Sequence, residues 1–164
     1  MTTNPLLSPS REILWFRHHI KRAIRSMLDG QGFIEIDTPY LLNANTPDPF
    51  IDPVFATLTN TNNAERQLHT SPEIWLKRCI PLGFDKIYHL ARVFRDDPPS
   101  TCHSTEFTML EWYRVHAKLD DLLEDCEEIF ARCCAIAHEN RMSRVESRYS
   151  IERIDLDFLW KELV

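Results

Sequence analysis

Glycine is scarce in this chain, and its scarcity limits the kinds of nucleotide site that the chain can build. Only three residues are glycine: Gly30, Gly32 and Gly83. They do not have the spacing of G-x-x-x-x-G-K-[ST] or of G-x-G-x-x-G, the motifs that place backbone N–H groups around a phosphate. Any phosphate bound here would therefore have to be held by side chains.

Length and charge favour an ordinary globular domain that does not bind nucleic acid broadly. The chain has 164 residues, 43% of them hydrophobic and 27% charged, with a net charge of −6. One domain over residues 1–164 is the expectation at this length. An acidic balance argues against a large non-specific nucleic-acid surface, because phosphate contacts need Lys and Arg.

The sequence also predicts a cytoplasmic location without a membrane anchor. No apolar run approaches the ~18 residues of a membrane-spanning helix, and the first residues lack the pattern of a signal peptide. The five cysteines form no C-x-x-C pair. We therefore expect reduced thiols and no metal site, with a zinc module built on Cys102, His103, Cys133 and Cys134 as a distant alternative.

Hydrophobic periodicity predicts an α+β fold, with an antiparallel β-sheet flanked by helices. Ser8 and Pro9 resemble a helix start, and an amphipathic helix follows over residues 10–29 and stops at Gly30. A second helix starts at Ser71, and a third starts near Leu119. Strands are expected over residues 32–37, 54–59, 86–95 and 106–115, with a proline-containing loop over residues 43–53.

The last two strands carry the side chains with most chemical content. Alternation puts His89, Ala91, Val93 and Arg95 on one face of the first strand, and Phe107, Met109, Glu111 and Tyr113 on one face of the second. If these faces coincide, one surface carries three groups that can bind ligands. The Arg95 guanidinium can bind a phosphate, the Phe107 ring can stack on a base, and the Glu111 carboxylate can bind an ammonium. The alternative is a half-buried sheet with scattered polar edges.

Three segments, in order, resemble the class II aminoacyl-tRNA synthetases, lysyl branch. The helix followed by GFIEIDTPYL resembles motif 1 (about residues 10–39), HTSPEIWLKR resembles the amino-acid-binding segment (about 69–80), and FRDD-x5-H-x-x-EFTMLEWYR resembles motif 2 (about 86–115). The resemblance implies a partial class II catalytic fold, ATP as substrate and a homodimer formed through motif 1.

The resemblance also implies roles for particular residues. Arg95 would hold the α-phosphate of ATP and act in catalysis, and Phe107 would stack on adenine. Asp97 and His103 would complete the ATP site. The lysine-type amino acid would be bound by Ser71, Glu73, Glu111 and Tyr113. Each also has a structural alternative, since Ser71 can cap a helix and Tyr113 can belong to a core.

Within the branch, PDPFIDPVFATL resembles the short lysyl-tRNA-synthetase paralogue that joins a lysine-type amino acid to elongation factor P. That paralogue lacks the anticodon-binding domain, and this chain begins at the motif 1 helix. The expected function is therefore ATP-dependent activation of lysine or β-lysine and its transfer to a lysine of elongation factor P, with tRNA a less favoured acceptor.

The sequence departs from the family pattern in ways that leave alternatives open. The motif 2 loop reads DDPPSTC, Ser104 and Thr105 replace Asn-Pro, and no motif 3 segment is present. The resemblance implies Mg²⁺ for the reaction, but its carboxylate ligands belong to the part of the family domain that this chain lacks. The chain is therefore expected to be incomplete. A lysine–tRNA ligase fragment and a non-catalytic remnant used for dimerisation or binding are the alternatives.

Overall fold

The computed structural model describes residues 10–98, 100 and 103–139, and it contains three α-helices and six strands in those ranges. Their order is α1 (Arg11–Gly30), β1 (Ile34–Glu35), β2 (Leu41–Leu42), β3 (Phe55–Leu58), β4 (Ala64–Leu68), α2 (Glu73–Cys79), β5 (Lys86–Phe94), β6 (Glu106–Arg114) and α3 (Leu119–Glu139). A 3₁₀ turn, Ile80–Leu82, follows α2. The α+β prediction is confirmed.

The strands form two three-stranded sheets. One sheet has the order β1-β5-β6 and the other β2-β4-β3. Every pairing is antiparallel except that of β1 with β5, which is parallel. The predicted strand over residues 32–37 is only two residues long in the structure, as β1. The sequence analysis did not identify β2 or β4. The loop over residues 43–53 contains no helix or strand, as predicted.

Helix α1 starts two residues later than the Ser8–Pro9 pattern indicated. The Ser10 hydroxyl accepts the N–H of Ile13 at 3.3 Å, so Ser10 caps the helix that begins at Arg11. Ser8 and Pro9 lie outside the described residues. After Gly30 the chain reverses through Gly32, whose φ of +82° suits glycine.

Contacts divide the chain into two compact units. The unit Arg25–Lys118 contains the end of α1, both sheets and α2. Its core is apolar and centres on β5, with α2 packed against β5 and β6. The fully or almost fully buried residues are Met27, Leu28, Phe33, Leu76, Ile87, Tyr88, Leu90 and Val93.

A polar cluster joins the end of α1 to β1 and β5 within this unit. The Arg25 guanidinium donates to both oxygens of Glu35, at 2.8 Å each, and to the Leu90 carbonyl at 3.1 Å. The buried Tyr88 hydroxyl donates to Asp29 at 2.8 Å. The hydrogen bond from Arg25 lowers the pKa of Glu35, although burial opposes it. These contacts fix the direction in which the chain leaves α1.

The second unit contains the described residues up to Ile24 together with α3. Trp15 packs against His18 and His19 on α1, with ring centroids 5.8 and 5.7 Å away. Large apolar side chains are exposed on α1, notably Leu14 and Trp15, which are 54% and 50% accessible. The predicted third amphipathic helix is confirmed as α3, whose first turn carries Asp120 and Asp121. No helix among the described residues is long and apolar enough to cross a membrane.

Candidate active site

The register of β5 and β6 places the predicted site residues on one face. Val93 lies opposite Phe107, His89 opposite Glu111, and Ile87 opposite Tyr113. Directly paired residues of antiparallel strands point to the same side of the sheet. The two sets of side chains that the sequence placed on separate strands therefore share a surface.

Glu111 is the centre of a hydrogen-bonded cluster on that surface. The Ser71 hydroxyl donates to Glu111 Oε2 at 2.8 Å, and the Tyr113 hydroxyl donates to Oε1 at 2.8 Å. Each carboxylate oxygen thus has one donor from the protein and retains lone pairs for another. The two hydroxyls hold the carboxylate in one orientation and bring no positive charge to it.

The chemistry of Tyr113 suits a permanent donor. Burial raises the pKa of Tyr113, and the hydrogen bond to Glu111 and the charges of Glu111 and Glu73 raise it further. The phenol therefore keeps its proton well above neutral pH, so that it continues to hold Glu111.

Ser71 has a second function at the start of α2. Its hydroxyl oxygen accepts the Glu73 N–H at 3.1 Å while its proton goes to Glu111. Pro72 occupies the N-cap position of α2, so Ser71 lies one residue before the cap, and ligand binding by Ser71 remains a prediction. Glu73 itself forms an ion pair with Lys77, one helical turn later, and both side chains are more than one-third exposed. Such an exposed pair is weak, so a ligand ammonium can compete for Glu73.

Arg95 and Phe107 form the second part of the surface. The Arg95 guanidinium carbon lies 5.3 Å from the Phe107 ring centroid, within cation–π range. Arg95 Nε donates to the Thr70 carbonyl at 3.4 Å. Among the described residues no hydrogen bond or ion pair uses the terminal nitrogens of Arg95, which leaves the guanidinium fork available for an anion.

Asp97 and His103 are not joined to this cluster. His103 Nδ1 and the Ser100 hydroxyl are hydrogen-bonded at 2.8 Å, and the backbone N–H of His103 donates to the same hydroxyl oxygen at 3.0 Å. Asp97 is half-buried in the same connection. Within the residues that the structure covers, neither side chain forms a hydrogen bond or ion pair with Arg95 or Glu111, and their assignment to ATP remains a prediction.

Sequence reasoning missed the residues that hold the Thr70–Ser71 segment in place. The Asn45 side chain accepts the Thr70 N–H at 2.9 Å and donates to the Leu68 carbonyl at 2.9 Å. His69 is fully buried, and its Nε2–H donates to the Arg92 carbonyl at 2.6 Å. The position of His69 directly before T-S-P-E was a usable signal, whereas Asn45 lies in a loop that offers no periodic pattern.

A metal ion has no evident place in the described part of the chain. No three His, Cys, Asp or Glu side chains come together there in an arrangement that could hold one. The described residues therefore do not by themselves form a Mg²⁺ site. Cys102, one member of the zinc alternative, lies outside the described residues.

Comparison with known families identifies the family of the chain. The family profile described as tRNA synthetases class II (D, K and N) matches residues 7–163, almost the whole chain. The chain therefore belongs to the class II tRNA synthetases of this group, a family of ATP-using ligases.

Within the group, curated relatives point to the lysine branch. The chain is 34% identical to the lysine–tRNA ligase of Fusobacterium nucleatum over 93% of this chain and 33% of that protein. It is 35% identical to the lysine–tRNA ligase of Pelotomaculum thermopropionicum over 93% of this chain and 29% of that protein. It is 31% identical to the lysylphosphatidylglycerol biosynthesis bifunctional protein LysX of Mycobacterium avium over 92% of this chain and 13% of that protein. The chain spans at most about a third of the length of these relatives.

Proposed function

We propose that this chain provides the motif 1 and motif 2 half of an ATP-dependent ligase that activates a lysine-type amino acid as its adenylate. The observation that carries the proposal is the surface on which Glu111, held by Ser71 and Tyr113, lies on the same sheet face as Arg95 and Phe107. It offers a carboxylate for an ammonium and a guanidinium for a phosphate. Membership of the class II family and the similarity to lysine–tRNA ligases support it.

In the proposed reaction, Glu111 and Glu73 bind the ammonium groups of the amino acid. Phe107 stacks on adenine, and Asp97 and His103 contact the nucleotide from the motif 2 connection. The amino-acid carboxylate attacks the α-phosphorus of ATP, pyrophosphate leaves, and an acyl-adenylate forms. Arg95 stabilises the charge that develops on the α-phosphate oxygens. The residues of motif 3 would supply the remaining charge.

The acceptor in the second step is proposed to be a lysine of elongation factor P. Its ε-amine would attack the acyl carbonyl, forming an amide and releasing AMP and a proton. Two observations favour a protein acceptor: the net charge of −6, since RNA binding relies on neutralising phosphates, and the resemblance of residues 47–58 to the elongation factor P ligase.

Transfer to tRNA is the second candidate, and the names of the relatives favour it, since most are lysine–tRNA ligases. The test compares acceptors directly. The chain, alone and completed with the motif 3 region of a relative, is incubated with ATP and labelled lysine or β-lysine, with elongation factor P or bulk tRNA. Label on the protein supports the proposal, label on tRNA alone replaces it with the second candidate, and label on neither favours a non-catalytic remnant.

The domain organisation is part of the proposal. We infer that residues 1–164 form one partial catalytic domain, with motif 1 about 10–39, the amino-acid segment about 69–80 and motif 2 about 86–115. Motif 1 would pair with a second copy of the chain, and the exposed apolar side chains of α1 support that arrangement.

A further inference from the structure

Two buried histidines lie beneath the candidate site, and neither is accounted for by the binding roles above. His69 and His89 are 0% and 2% accessible, and their rings meet edge to face with centroids 5.8 Å apart. His89 stands directly opposite Glu111 across β5 and β6. Tyr40 packs against both rings, at 4.7 Å from His69 and 6.2 Å from His89.

The hydrogen bonds of the pair fix a tautomer for each ring. A backbone carbonyl can only accept, so the proton of His69 is on Nε2, which bonds the Arg92 carbonyl, and that of His89 is on Nδ1, which bonds the Ile36 carbonyl at 2.9 Å. His69 Nδ1 and His89 Nε2 are buried and have no hydrogen-bond partner among the described residues. A second proton on His69 would therefore be buried without an acceptor among the described residues.

His69 is also the point at which the two sheets and the site segment meet. Its N–H donates to the Tyr40 carbonyl at 2.9 Å, and its carbonyl accepts the Phe94 N–H at 3.0 Å. The next residue, Thr70, offers its carbonyl to Arg95, and the one after it, Ser71, donates to Glu111. One short segment thus contacts both the residue assigned to phosphate and the residue assigned to the ammonium.

We propose that neutral His69 is a positioning residue of this site: by tying residues 69–71 to β5 it sets Ser71 against Glu111 and the Thr70 carbonyl against Arg95. The proposal rests on the proposed function, because it assumes that Glu111 binds the amino acid. His69 itself contacts no ligand. It acts through Thr70 and Ser71.

A proton on His69 would disturb this arrangement. Burial lowers the pKa of His69, the bond to the Arg92 carbonyl opposes this, and the adjacent His89 lowers it further. The ionisable groups around the pair are Tyr40, Glu111 opposite His89, and Glu35, whose pKa is lowered in part by His89. None of them is hydrogen-bonded to either ring in the described structure. A charge on His69 would therefore lack a partner, and amino-acid binding should weaken as the pH falls below the ordinary histidine range of about 6.5.

The first test uses the chain without ligand. Long-range ¹⁵N–¹H spectra should show His69 as the Nε2–H tautomer and His89 as the Nδ1–H tautomer, and His69 should titrate below an exposed histidine. His69→Phe keeps the ring but removes the donor, so hydrogen exchange at Thr70 and Phe94 should accelerate about tenfold or more. Leu90→Ala is the control, because it opens a cavity on the other face of β5 and leaves the hydrogen bond from His69 to the Arg92 carbonyl in place.

The second test measures L-lysine affinity by calorimetry between pH 5 and 8. His69→Phe should weaken binding about tenfold and Leu90→Ala about twofold at most, whereas His69→Gln, whose amide can donate to the Arg92 carbonyl, should recover most of the loss. The acid decline should be present in the wild-type chain and absent in His69→Gln. If His69→Phe does not fold, the comparison of wild type with His69→Gln decides alone.

The outcomes separate this proposal from the proposed function. An Nδ1–H tautomer, an ordinary titration of His69, or equal acid declines in wild type and His69→Gln would overturn the positioning role. A second outcome is that the tautomers and the hydrogen exchange at Thr70 and Phe94 are as expected but the chain binds no lysine. This outcome would reject the proposed function, and His69 would then only hold residues 69–71 in place.

Discussion

At the scale of single residues, Glu111 shows how a strand and a helix start cooperate to present one charge. Tyr113 reaches it from the same strand, two residues along, and Ser71 reaches it from the start of α2. Both donors are neutral hydroxyls, so they orient the carboxylate without pairing it with a positive charge. A lone Glu on a strand would have to order its side chain when the ligand binds, and the two donors reduce that cost.

Removing one donor should weaken binding without abolishing it. Tyr113→Phe deletes the bond to Glu111 Oε1, and the loss of about 0.5–1.5 kcal/mol for such a bond corresponds to a roughly two- to tenfold weaker affinity for L-lysine. Tyr40→Phe is the matched control, because its hydroxyl makes no hydrogen bond in the described structure, and calorimetry should find it unchanged. A Tyr113→Phe chain with wild-type affinity would remove Tyr113 from the site.

Arg95 and Phe107 should together determine adenine-nucleotide binding. Arg95→Ala should weaken the binding free energy of ATP by about 1.5–3 kcal/mol, because a charge-assisted phosphate contact is lost. Phe107→Ala should weaken it by about 1–3 kcal/mol, because stacking on adenine is lost. Arg92→Ala is a control on β5, three residues before Arg95, where the Arg92 side chain pairs with Glu106 at 3.2 Å. Undiminished ATP binding in Arg95→Ala and Phe107→Ala would show that the motif 2 assignment is wrong.

At the scale of elements, the connection from α1 to β1 depends on the polar cluster around Tyr88. Tyr88→Phe removes the donor to Asp29 and should lower the free energy of unfolding by about 1 kcal/mol. Leu28→Ala, in the apolar core next to it, should cost about 2–5 kcal/mol. Urea denaturation measures both losses. A larger loss for Tyr88→Phe than for Leu28→Ala would mean that the polar cluster contributes more than the core to this connection.

The same tyrosine should give the folded state an alkaline limit. Burial, then the hydrogen bond to Asp29 and the nearby carboxylates, raise the pKa of Tyr88 above its ordinary value of about 10. The folded state therefore holds this proton more tightly than the unfolded chain, so the contribution is complete below about pH 10 and is lost as the pH rises further. Between pH 8 and 11 the free energy of unfolding should fall less steeply with pH in Tyr88→Phe than in the wild type. Equal slopes for the two proteins would exclude Tyr88 as the cause of the decline.

The long periodic elements were the predictable ones. The spacing of apolar residues located α1 and α3, and alternation located β5 and β6 together with the face that carries Phe107, Glu111 and Tyr113. Two-residue strands such as β2 carry no periodic signal, because their pairing is decided by partners distant in sequence. The support of Thr70 by Asn45 and His69 was not predictable for the same reason, since it arises only when a loop and two strands meet.

At the scale of the whole molecule, the exposed apolar side chains of motif 1 predict self-association. Leu14, Trp15 and Ile34 are each about half accessible, and a second copy paired through motif 1 would cover apolar surface of this kind. Sedimentation at tens of micromolar should therefore detect a dimer, and Leu14→Asp should shift it towards the monomer. Lys118→Asp is a charge-changing control outside motif 1. A wild-type chain that sediments as a monomer throughout this range would argue against the interface.

The central claim is that the surface around Glu111 recognises the ammonium group of a lysine-type amino acid. The direct measurement is calorimetric titration of the chain with L-lysine and with L-norleucine, which has the same carbon chain but no side-chain ammonium, for the wild type and for Glu111→Gln. We predict that the wild type binds lysine about tenfold or more tightly than norleucine, and that Glu111→Gln loses this preference. Equal affinity for the two ligands in the wild type, or a preference for lysine that persists in Glu111→Gln, would contradict it.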